Sequence, residues 1–237
     1  MIRVRERWIR AQLAQVLLSA GGRAPRRAIA RAGQMIGLLE IGAWLSSQSV
    51  SKPEVLGSRD AVFSAALSRL RNAQEPAYLE FGVADGDSMR WWSENLTVAQ
   101  AHLIGFDSFE GLPEDWAGTG SPKGAFDLGG NLPTVPNNVA LVKGWFDDTI
   151  PEWKKQNDGP VSYCNVDCDL YSSTVTIFRE LEDRFIPGTV IHFDDYFGYA
   201  DWRNGEHKAF LEMLDRTGFS YDAKALGIMQ FVVQLKK

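Results

Sequence analysis

The chain has 237 residues, of which 45% are hydrophobic and 23% are charged, and its net charge is −5. This length and composition suit a globular protein with one sizeable α/β domain and an appendage. The acidic balance gives a nucleic-acid partner no electrostatic support, and no run reaches the ~18 apolar residues of a transmembrane helix. We see no signal peptide. Cys164 and Cys168, on one predicted strand, lie too far apart for a disulfide, so we expect a cytoplasmic protein.

The first 39 residues concentrate positive charge. They contain one acid, Glu6, and eight arginines, at positions 3, 5, 7, 10, 23, 26, 27 and 31. Such a segment is most simply a solvated helix face packed on the domain, and the alternatives are peripheral contact with an anionic membrane, a partner or a phosphate-bearing substrate. Apolar spacing predicts helices over 5–18, 27–46 and 59–72, the last capped by Ser58. We therefore predict a helical N-terminal region, residues 1–75, packed on a core of residues 76–237.

From residue 77 the pattern changes to strands that alternate with helices. Predicted strands cover 77–83, 102–107, 139–146, 161–167 and 188–195, with helices near 87–98, 150–157, 173–185 and 204–217. Two closing strands, 219–225 and 229–235, predict an antiparallel hairpin. Together they predict an α/β fold with a mostly parallel seven-stranded sheet covered on both faces. A terminal hairpin on such a sheet is typical of methyltransferases that use S-adenosylmethionine.

Ligands of open α/β sheets bind at the carboxyl ends of the strands. The first strand ends in the stretch that contains Gly82 and Gly86, where a ligand can approach the backbone, and a helix N-terminus that favours an anion follows. The second strand ends in Asp107, which either accepts hydrogen bonds from ribose hydroxyls or caps a turn. The third strand ends in Trp145 and Phe146, which either stack on an adenine or belong to the core.

The fourth and fifth strands both end in carboxylates. If these strands are neighbours, Asp167, Asp194 and Asp195 converge and repel one another unless a cation holds them. Hard oxygen ligands of this kind suit Mg²⁺. Asp169 then remains available for proton transfer. The alternative is that Asp194 caps the next helix and Asp195 is solvated.

Five motifs resemble one family, the macrocin-type sugar O-methyltransferases, and do so in order over roughly residues 77–235. They are LEFGVADGDS (79–88), GFDSFEGLPEDW (105–116), KGWFDDTIP (143–151), VDCDLYSST (166–174) and PGTVIHFDDY (187–196). The resemblance implies the Rossmann-like class I methyltransferase fold, S-adenosylmethionine and Mg²⁺ as cofactors, and a sugar or glycoside acceptor. It also implies a homo-oligomer and a lid over the acceptor, within the long Gly/Pro-rich stretch 110–138.

The resemblance also implies roles for individual residues. The implied cofactor-binding residues are Glu80, Phe81, Gly82, Gly86, Ser88, Asp107, Ser108, Phe109, Gly144, Trp145, Phe146 and Asp167; the metal ligands are Asp167, Asp194 and Asp195. Asp169 is the implied general base, with Asp167 beside it as the second catalytic residue. Tyr196, the last residue of the fifth motif, is a candidate acceptor contact. Trp202 and His207 are two more, in the following segment, which departs from the familiar pattern. Catechol-type relatives carry a lysine base where this chain has Leu170, which makes a catechol acceptor less favoured.

We therefore expect an enzyme that transfers a methyl group from S-adenosylmethionine to a hydroxyl of a sugar or a glycosylated natural product. Two alternatives remain open within the same fold: a metal-dependent methyltransferase for a phenol or an amine, and a cofactor-binding protein without turnover. A third, a membrane-associated partner protein, would use the arginine-rich segment.

Overall fold

The computed structural model describes residues 2–70, 77–96 and 102–237, and for residues 2–11 and 26–31 it describes the helix path alone. The helices are α1 (Ile2–Gly21), α2 (Arg26–Ser47), α3 (Arg59–Leu70), α4 (Asp87–Asn95), α5 (Phe146–Lys154), α6 (Tyr171–Leu181) and α7 (Glu206–Thr217). The strands are β1 (Glu54–Val55), β2 (Ala77–Phe81), β3 (His102–Asp107), β4 (Val139–Lys143), β5 (Tyr163–Val166), β6 (Val190–Phe193), β7 (Ser220–Leu226) and β8 (Phe231–Lys236).

The strands form one sheet in the order β1-β7-β8-β6-β5-β2-β3-β4. Every neighbouring pair is parallel except the two that involve β8, which is antiparallel to both β6 and β7. The prediction of a mostly parallel sheet with a closing antiparallel hairpin is therefore confirmed. The sheet has eight strands in the described chain, one more than predicted, because a two-residue β1 pairs with β7. A strand of two exposed residues leaves no periodic pattern to read.

Two predicted strands end early where the backbone turns into the left-handed region. Gly82 has φ +93° and ends β2 after Phe81, and Gly144 has φ +141° and follows the end of β4 at Lys143. Phe146, predicted to finish a strand, instead begins α5, whose first turn carries two acids that favour a helix N-terminus. The predicted ends of the helices over 59–72 and 87–98 extend outside the described residues.

Large aromatic side chains fill both faces of the sheet and fix the strands that carry the site. On one face Tyr78 of β2 stacks on Tyr163 of β5, with ring centroids 4.8 Å apart, and Trp92 of α4 packs on both. On the other face Phe81 stacks on Phe106 at 4.9 Å. Because β2 is buried on both faces, its carboxyl end is held rigidly at the centre of the sheet.

The two long N-terminal helices differ in how they meet this core. Helix α2 approaches closely at Gly37, where an added Cβ would lie 2.7 Å from the Cα of Gly198. Glu40 of α2 also accepts a hydrogen bond of 2.9 Å from the indole N–H of Trp202. The described side chains of α1 are exposed, including Leu13, Val16, Leu17 and Leu18.

Part of the N-terminal prediction lies outside what the structure describes. The side chains of Arg3, Arg5, Arg7, Arg10, Arg26, Arg27 and Arg31 are not described, and neither is the predicted boundary between residues 75 and 76. Within the described ranges, no helix combines the length and the apolar character that crossing a bilayer requires. The division into two regions and the membrane contact stay predictions.

Candidate active site

The sheet register brings the predicted metal-binding acids together. Val166 of β5 and Phe193 of β6 are register partners, and Asp167 and Asp194 follow them directly. The backbone N–H of Asp194 donates to the carbonyl of Val166 at 3.0 Å, which continues the pairing one residue beyond the strands. One carboxylate oxygen from each of Asp167, Asp194 and Asp195 lies within 4.8 Å of the other two. The expectation that β5 and β6 are neighbours is confirmed, and with it the convergence of the three acids.

A positive charge from another element lies on this acidic cluster. Arg59, the first residue of α3, donates from Nε to Asp194 Oδ1 at 3.0 Å and from Nη2 to Asp167 Oδ2. Its guanidinium lies 5.2 Å from the centre of the Phe63 ring. Sequence reasoning missed Arg59, and the only local signal was a basic residue directly after the cap Ser58, where acids are preferred.

The cluster is strongly coupled electrostatically. Burial raises the pKa of Asp167 and of Asp195 well above the usual range, and the charge of Asp194 adds to both effects. The Arg59 guanidinium acts in the opposite direction on the pKa of both groups. Three carboxylates this close are costly without cationic compensation. Their oxygen donors fit a hard divalent cation, and by donor type and convergence they could hold Mg²⁺.

Asp169 sits in a strained turn between β5 and α6. The N–H of Leu170 donates to the carbonyl of Cys168 at 2.7 Å, which closes a γ-turn around Asp169 at φ +66°. This γ-turn is uncommon for a residue with a side chain and is a form of strain found at functional sites. Burial, followed by the charge of Asp167, raises the pKa of Asp169 to about 7, while a hydrogen bond with Asp195 lowers it.

These acids line a cavity of about 680 Å³ at the carboxyl edge of the sheet. That volume is in the range of small-molecule and cofactor sites. Of the predicted site residues, those that line the cavity are Gly82, Ser88, Asp107, Ser108, Trp145, Phe146, Asp167, Asp169, Asp194 and Asp195. The structure thus brings the acids and the predicted cofactor loop into one chamber.

The loop after β2 has its shape enforced by close backbone contacts. A Cβ on Gly82 would lie 1.8 Å from the carbonyl oxygen of Asp167, so no side chain fits there. Asp107 braces the same loop, because Oδ2 accepts from the N–H groups of Val83 and Ala84 at 2.8 and 2.9 Å. Its Oδ1 accepts from the N–H of Phe109 at 2.7 Å. Asp107 caps backbone groups here, and a carboxylate with four lone pairs retains capacity for ligand hydroxyls.

Several predicted cofactor-binding residues support the loop from behind the cavity wall. Glu80 is fully buried and accepts hydrogen bonds from Tyr78, from Ser88 and, at 3.1 Å, from Asn165. Burial raises the pKa of Glu80, while these donors lower it. Four more predicted cofactor residues do not line the cavity, namely Phe81, Gly86, Phe109 and Gly144. The structure places Glu80 as a support for Ser88.

The predicted acceptor contacts Tyr196, Trp202 and His207 lie in the core and do not line the cavity. Their exposed fractions are 0%, 1% and 6%. His207 is enclosed by the rings of Trp44, Tyr196 and Trp202, with centroids 4.7 to 5.1 Å away. In this conformation their place is structural, because α2 and α7 close over them. Sequence alone could not show that α2 covers this segment.

The predicted lid is tied down along much of its length. Leu112 and Ala125 pair through a backbone hydrogen bond of 2.9 Å, and the N–H groups of Leu128 and Gly130 donate to the carbonyl of Phe109 at 3.2 and 2.8 Å. Two aromatic residues of this stretch that sequence reasoning did not single out, Trp116 and Phe126, line the cavity. Phe126 is 57% exposed and has φ +66°. The stretch 110–138 is therefore folded, and its residues 111–126 contribute to the wall of the cavity.

Comparison with known proteins agrees with this architecture. Residues 79–196 match a family model described as a methyltransferase domain. No curated protein sequence matches the chain. The chain is also similar in fold to solved structures of methyltransferases.

The calicheamicin methyltransferase CalS11 has a TM-score of 0.60 at 18% identity, covering 74% of this chain and 77% of its own. The apo form of CalS11 is described as a TDP-rhamnose 3′-O-methyltransferase. The O-methyltransferase NovP has a TM-score of 0.55 at 18% sequence identity, and the match covers 74% of this chain and 79% of NovP. An O-methyltransferase from Bacillus cereus, in complex with SAH, has a TM-score of 0.52 at 16% sequence identity, and the match covers 87% of this chain and 91% of that protein. At these identities the likeness shows the fold, which is that of class I methyltransferases.

Proposed function

We propose that this chain, an enzyme whose residues 79–196 match a methyltransferase domain, is an S-adenosylmethionine- and Mg²⁺-dependent O-methyltransferase with a sugar or glycoside acceptor. The single observation that carries this proposal is that the Gly82 loop and the Asp167, Asp194 and Asp195 cluster line one cavity. A cofactor loop alone would fit many class I enzymes. Convergent acids beside it fit those that orient a hydroxyl with a divalent cation.

The cofactor would lie along the wall formed by the Gly82 loop, Asp107 and Trp145. The Gly82 backbone, which lines the cavity, would lie against the methionine end, with Ser88 at the N-terminal turn of α4. Asp107 would accept from the ribose hydroxyls, and Trp145 and Phe146 would border the adenine. When bound, S-adenosylmethionine supplies a methyl group already activated by the sulfonium.

Asp167, Asp194 and Asp195 would hold the divalent cation. When bound, that ion lowers the pKa of the acceptor hydroxyl and fixes its orientation. Gln230 would help to orient one ligand, because its Nε2 donates to Asp194 Oδ1 at 3.3 Å.

Asp169 would accept the proton that the acceptor hydroxyl loses when its oxygen takes the methyl group, the carbon–sulfur bond of the donor breaks and S-adenosylhomocysteine leaves. The γ-turn directs the residue to the cavity wall, and the rigid ends of β5 and β6 fix the surrounding acids. A positioned base of this kind contributes about 10²- to 10⁴-fold to a rate. Trp116 and Phe126 would exclude water from the reacting groups.

A sugar or glycoside acceptor is favoured over the alternatives by two observations. The position that would carry a lysine base in catechol-type enzymes is Leu170, which is 3% exposed and caps α6 through its backbone. The fold neighbour CalS11 is described as acting on TDP-rhamnose. A phenol or amine acceptor is the second candidate, and retention of three mutually repelling acids argues against a protein without turnover.

A paired binding and turnover experiment tests the proposal. Calorimetry with S-adenosylmethionine would be carried out on the parent, on Asp194→Asn and on Asp107→Asn, followed by methyl transfer to a panel of sugars, glycosides, catechols and amines. We expect Asp194→Asn to keep most cofactor affinity and lose turnover, and Asp107→Asn to lose cofactor affinity. Parent-level turnover of Asp194→Asn in the presence of a chelator would refute the metal role, and transfer to catechols alone would refute the sugar acceptor.

We also propose a cellular setting for this enzyme. A cytoplasmic location is supported by two free, buried cysteines. Self-association is supported by exposed apolar side chains on the first two helices, among them Leu17 and Leu39. Contact of the arginine-rich segment with anionic membranes is the alternative use of the same region. Light scattering of the full chain, with and without anionic liposomes, separates the two.

A further inference from the structure

Arg59 bonds two of the three carboxylates that a divalent cation would need. Its Nε lies 3.0 Å from Asp194 Oδ1, and its Nη2 bonds Asp167 Oδ2. The guanidinium therefore spans two of the three acids whose oxygens converge within 4.8 Å. The planar guanidinium, with its rigid fork of N–H donors, is well suited to bond two separate carboxylates at once.

The two cations would compete for these carboxylates. Mg²⁺ binds carboxylate oxygens at about 2.0 to 2.1 Å and keeps an octahedral shell that includes water molecules. A guanidinium that remained bonded to Asp194 Oδ1 and Asp167 Oδ2 would occupy the directions from which that shell approaches. Repulsion between two positive groups at contact distance adds to the steric conflict.

Arg59 is placed so that it can leave without unfolding the site. It is the first residue of α3, and its side chain is 37% exposed. It lines the same cavity as the acids, so the guanidinium can move into the cavity rather than through the core. The acids remain fixed by the sheet, because Asp167 and Asp194 both have backbone N–H groups paired with neighbouring strands.

We propose that Arg59 is a positioning residue that holds Asp167 and Asp194 together in the metal-free protein and that must be displaced for a divalent cation to bind. This inference rests on the proposed metal site. It follows that the apparent metal affinity equals the intrinsic affinity multiplied by the fraction of metal-free molecules in which the guanidinium is released. It also follows that the metal-free site keeps its shape, since one positive charge always compensates part of the acidic cluster.

Binding of Mn²⁺ alone, followed by electron paramagnetic resonance, tests the competition without any turnover. The proteins are the full-length parent, Arg59→Met, Arg59→Lys and the control Arg90→Met. Arg90 pairs with Asp87 beside the same cavity, so its removal changes net charge equally without touching the acids. We expect Arg59→Met to bind Mn²⁺ about tenfold tighter or more, because the competing state that lowers apparent affinity is removed. Arg59→Lys should lie between Arg59→Met and the parent, and Arg90→Met should resemble the parent.

Thermal unfolding gives the second readout. Without metal, Arg59→Met should unfold at a lower temperature than the parent, and Mn²⁺ should raise its unfolding temperature by more than it raises that of the parent. If Arg59→Met does not fold, Arg59→Lys carries the same comparison. Equal or weaker Mn²⁺ binding by the Arg59 variants would overturn the inference while leaving the metal site standing. Absence of Mn²⁺ binding in all four proteins would overturn both the inference and the metal site. If the Mn²⁺ affinities follow the predicted order but the parent transfers no methyl group, the proposed function alone would be overturned.

Discussion

Asp194 follows Phe193 at the end of β6 as Asp167 follows Val166 at the end of β5, and Phe193 and Val166 are register partners. Two acids separated by 27 positions in sequence thus emerge side by side at the centre of the sheet. Parallel pairing makes this unavoidable once the register is set by the buried residues of both strands. The sheet itself, rather than a flexible loop, positions the cluster that Arg59 bridges, and this placement supports a site of fixed geometry.

The first prediction concerns Asp169. Asp169→Asn keeps the size and hydrogen-bonding capacity of the side chain and tolerates the left-handed backbone at φ +66°. It cannot accept a proton as a carboxylate does, so we expect kcat to fall by about 10²- to 10⁴-fold. The Kd for S-adenosylmethionine should stay within about twofold of the parent, because kcat losses without binding losses mark a group that acts in the transition state.

Stopped assays with radiolabelled methyl donor measure kcat, and calorimetry measures Kd. Asp127→Asn serves as the control, since Asp127 lies on the 110–138 stretch outside the cavity wall and accepts from the N–H of Gly129 at 2.6 Å. Unchanged kcat in Asp169→Asn would remove it from the role of base.

Gly82 gives a prediction for stability. Its Cβ would lie 1.8 Å from the carbonyl oxygen of Asp167, and its φ of +93° is strained for any other residue. Gly82→Ala must therefore separate the ends of β2 and β5, and we expect a loss of about 3 kcal/mol or more from the free energy of unfolding. Urea unfolding measures it. Gly159→Ala is the matched control, because nothing lies within 4 Å of its Cβ and its φ is ordinary. Equal stability of the two variants would contradict the close approach.

The sheet and its acidic edge were predictable because strong local signals carried them. Apolar runs that end in Asp107, Asp167 and Asp194 predict both the strands and the edge of the sheet at which ligands bind. Arg59 was not predictable, since its partners lie 108 and 135 positions further along the chain. No local pattern encodes a pairing at that separation.

The acceptor contacts illustrate the opposite error. Trp202 and His207 carry functional groups and sit near the acids in sequence, which made them attractive candidates. Their burial depends on α2, whose Glu40 bonds Trp202 and whose Trp44 packs on His207 at 4.7 Å. A helix more than 150 positions away decides whether these residues face ligand or core, and that is tertiary information.

His207 gives a prediction for the pH dependence of stability. Burial, helped by the charge of Arg203, lowers the pKa of His207 to about 4, against about 6.5 when unfolded. Between these two pKa values the unfolded chain binds more protons than the folded protein. The contribution of neutral His207 to the free energy of unfolding is therefore fully present above pH 6.5 and is lost as the pH falls towards 4. Linkage gives a loss of about 2 kcal/mol between pH 7.5 and 5.

His207→Phe keeps an aromatic ring among Trp44, Tyr196 and Trp202 and removes the titration. Urea unfolding at pH 7.5, 6.5, 5.5 and 5 should show the parent losing about 2 kcal/mol more than the variant over this range. If the free energy of unfolding depends on pH in the same way in the parent and in His207→Phe, the His207 imidazole titrates alike in the folded and unfolded states, and the prediction is wrong.

The charge of the cavity predicts which acceptor substrates the enzyme prefers. Among the described residues that line it, the charged side chains are one arginine, Arg59, and eight aspartates, at 85, 87, 107, 147, 167, 169, 194 and 195. A divalent ion and the sulfonium would leave this wall negative. We therefore expect a neutral or amino-sugar glycoside to be preferred over a TDP-linked sugar, although CalS11 is described as acting on one. Juxtaposed like charges predict a KM at least about tenfold higher for the TDP-linked sugar.

The salt dependence of KM identifies the cause of that preference. Adding NaCl to about 0.3 M shortens the Debye length below 10 Å, so the repulsion of a diphosphate is screened. The KM for the TDP-linked sugar should then fall towards that of the neutral glycoside, whose own KM should be insensitive to salt. The same sugar offered in both forms provides the matched control. A TDP-linked sugar that is the better acceptor, with a KM that rises with salt, would show that a cationic surface attracts the acceptor and that the acidic wall does not set the preference.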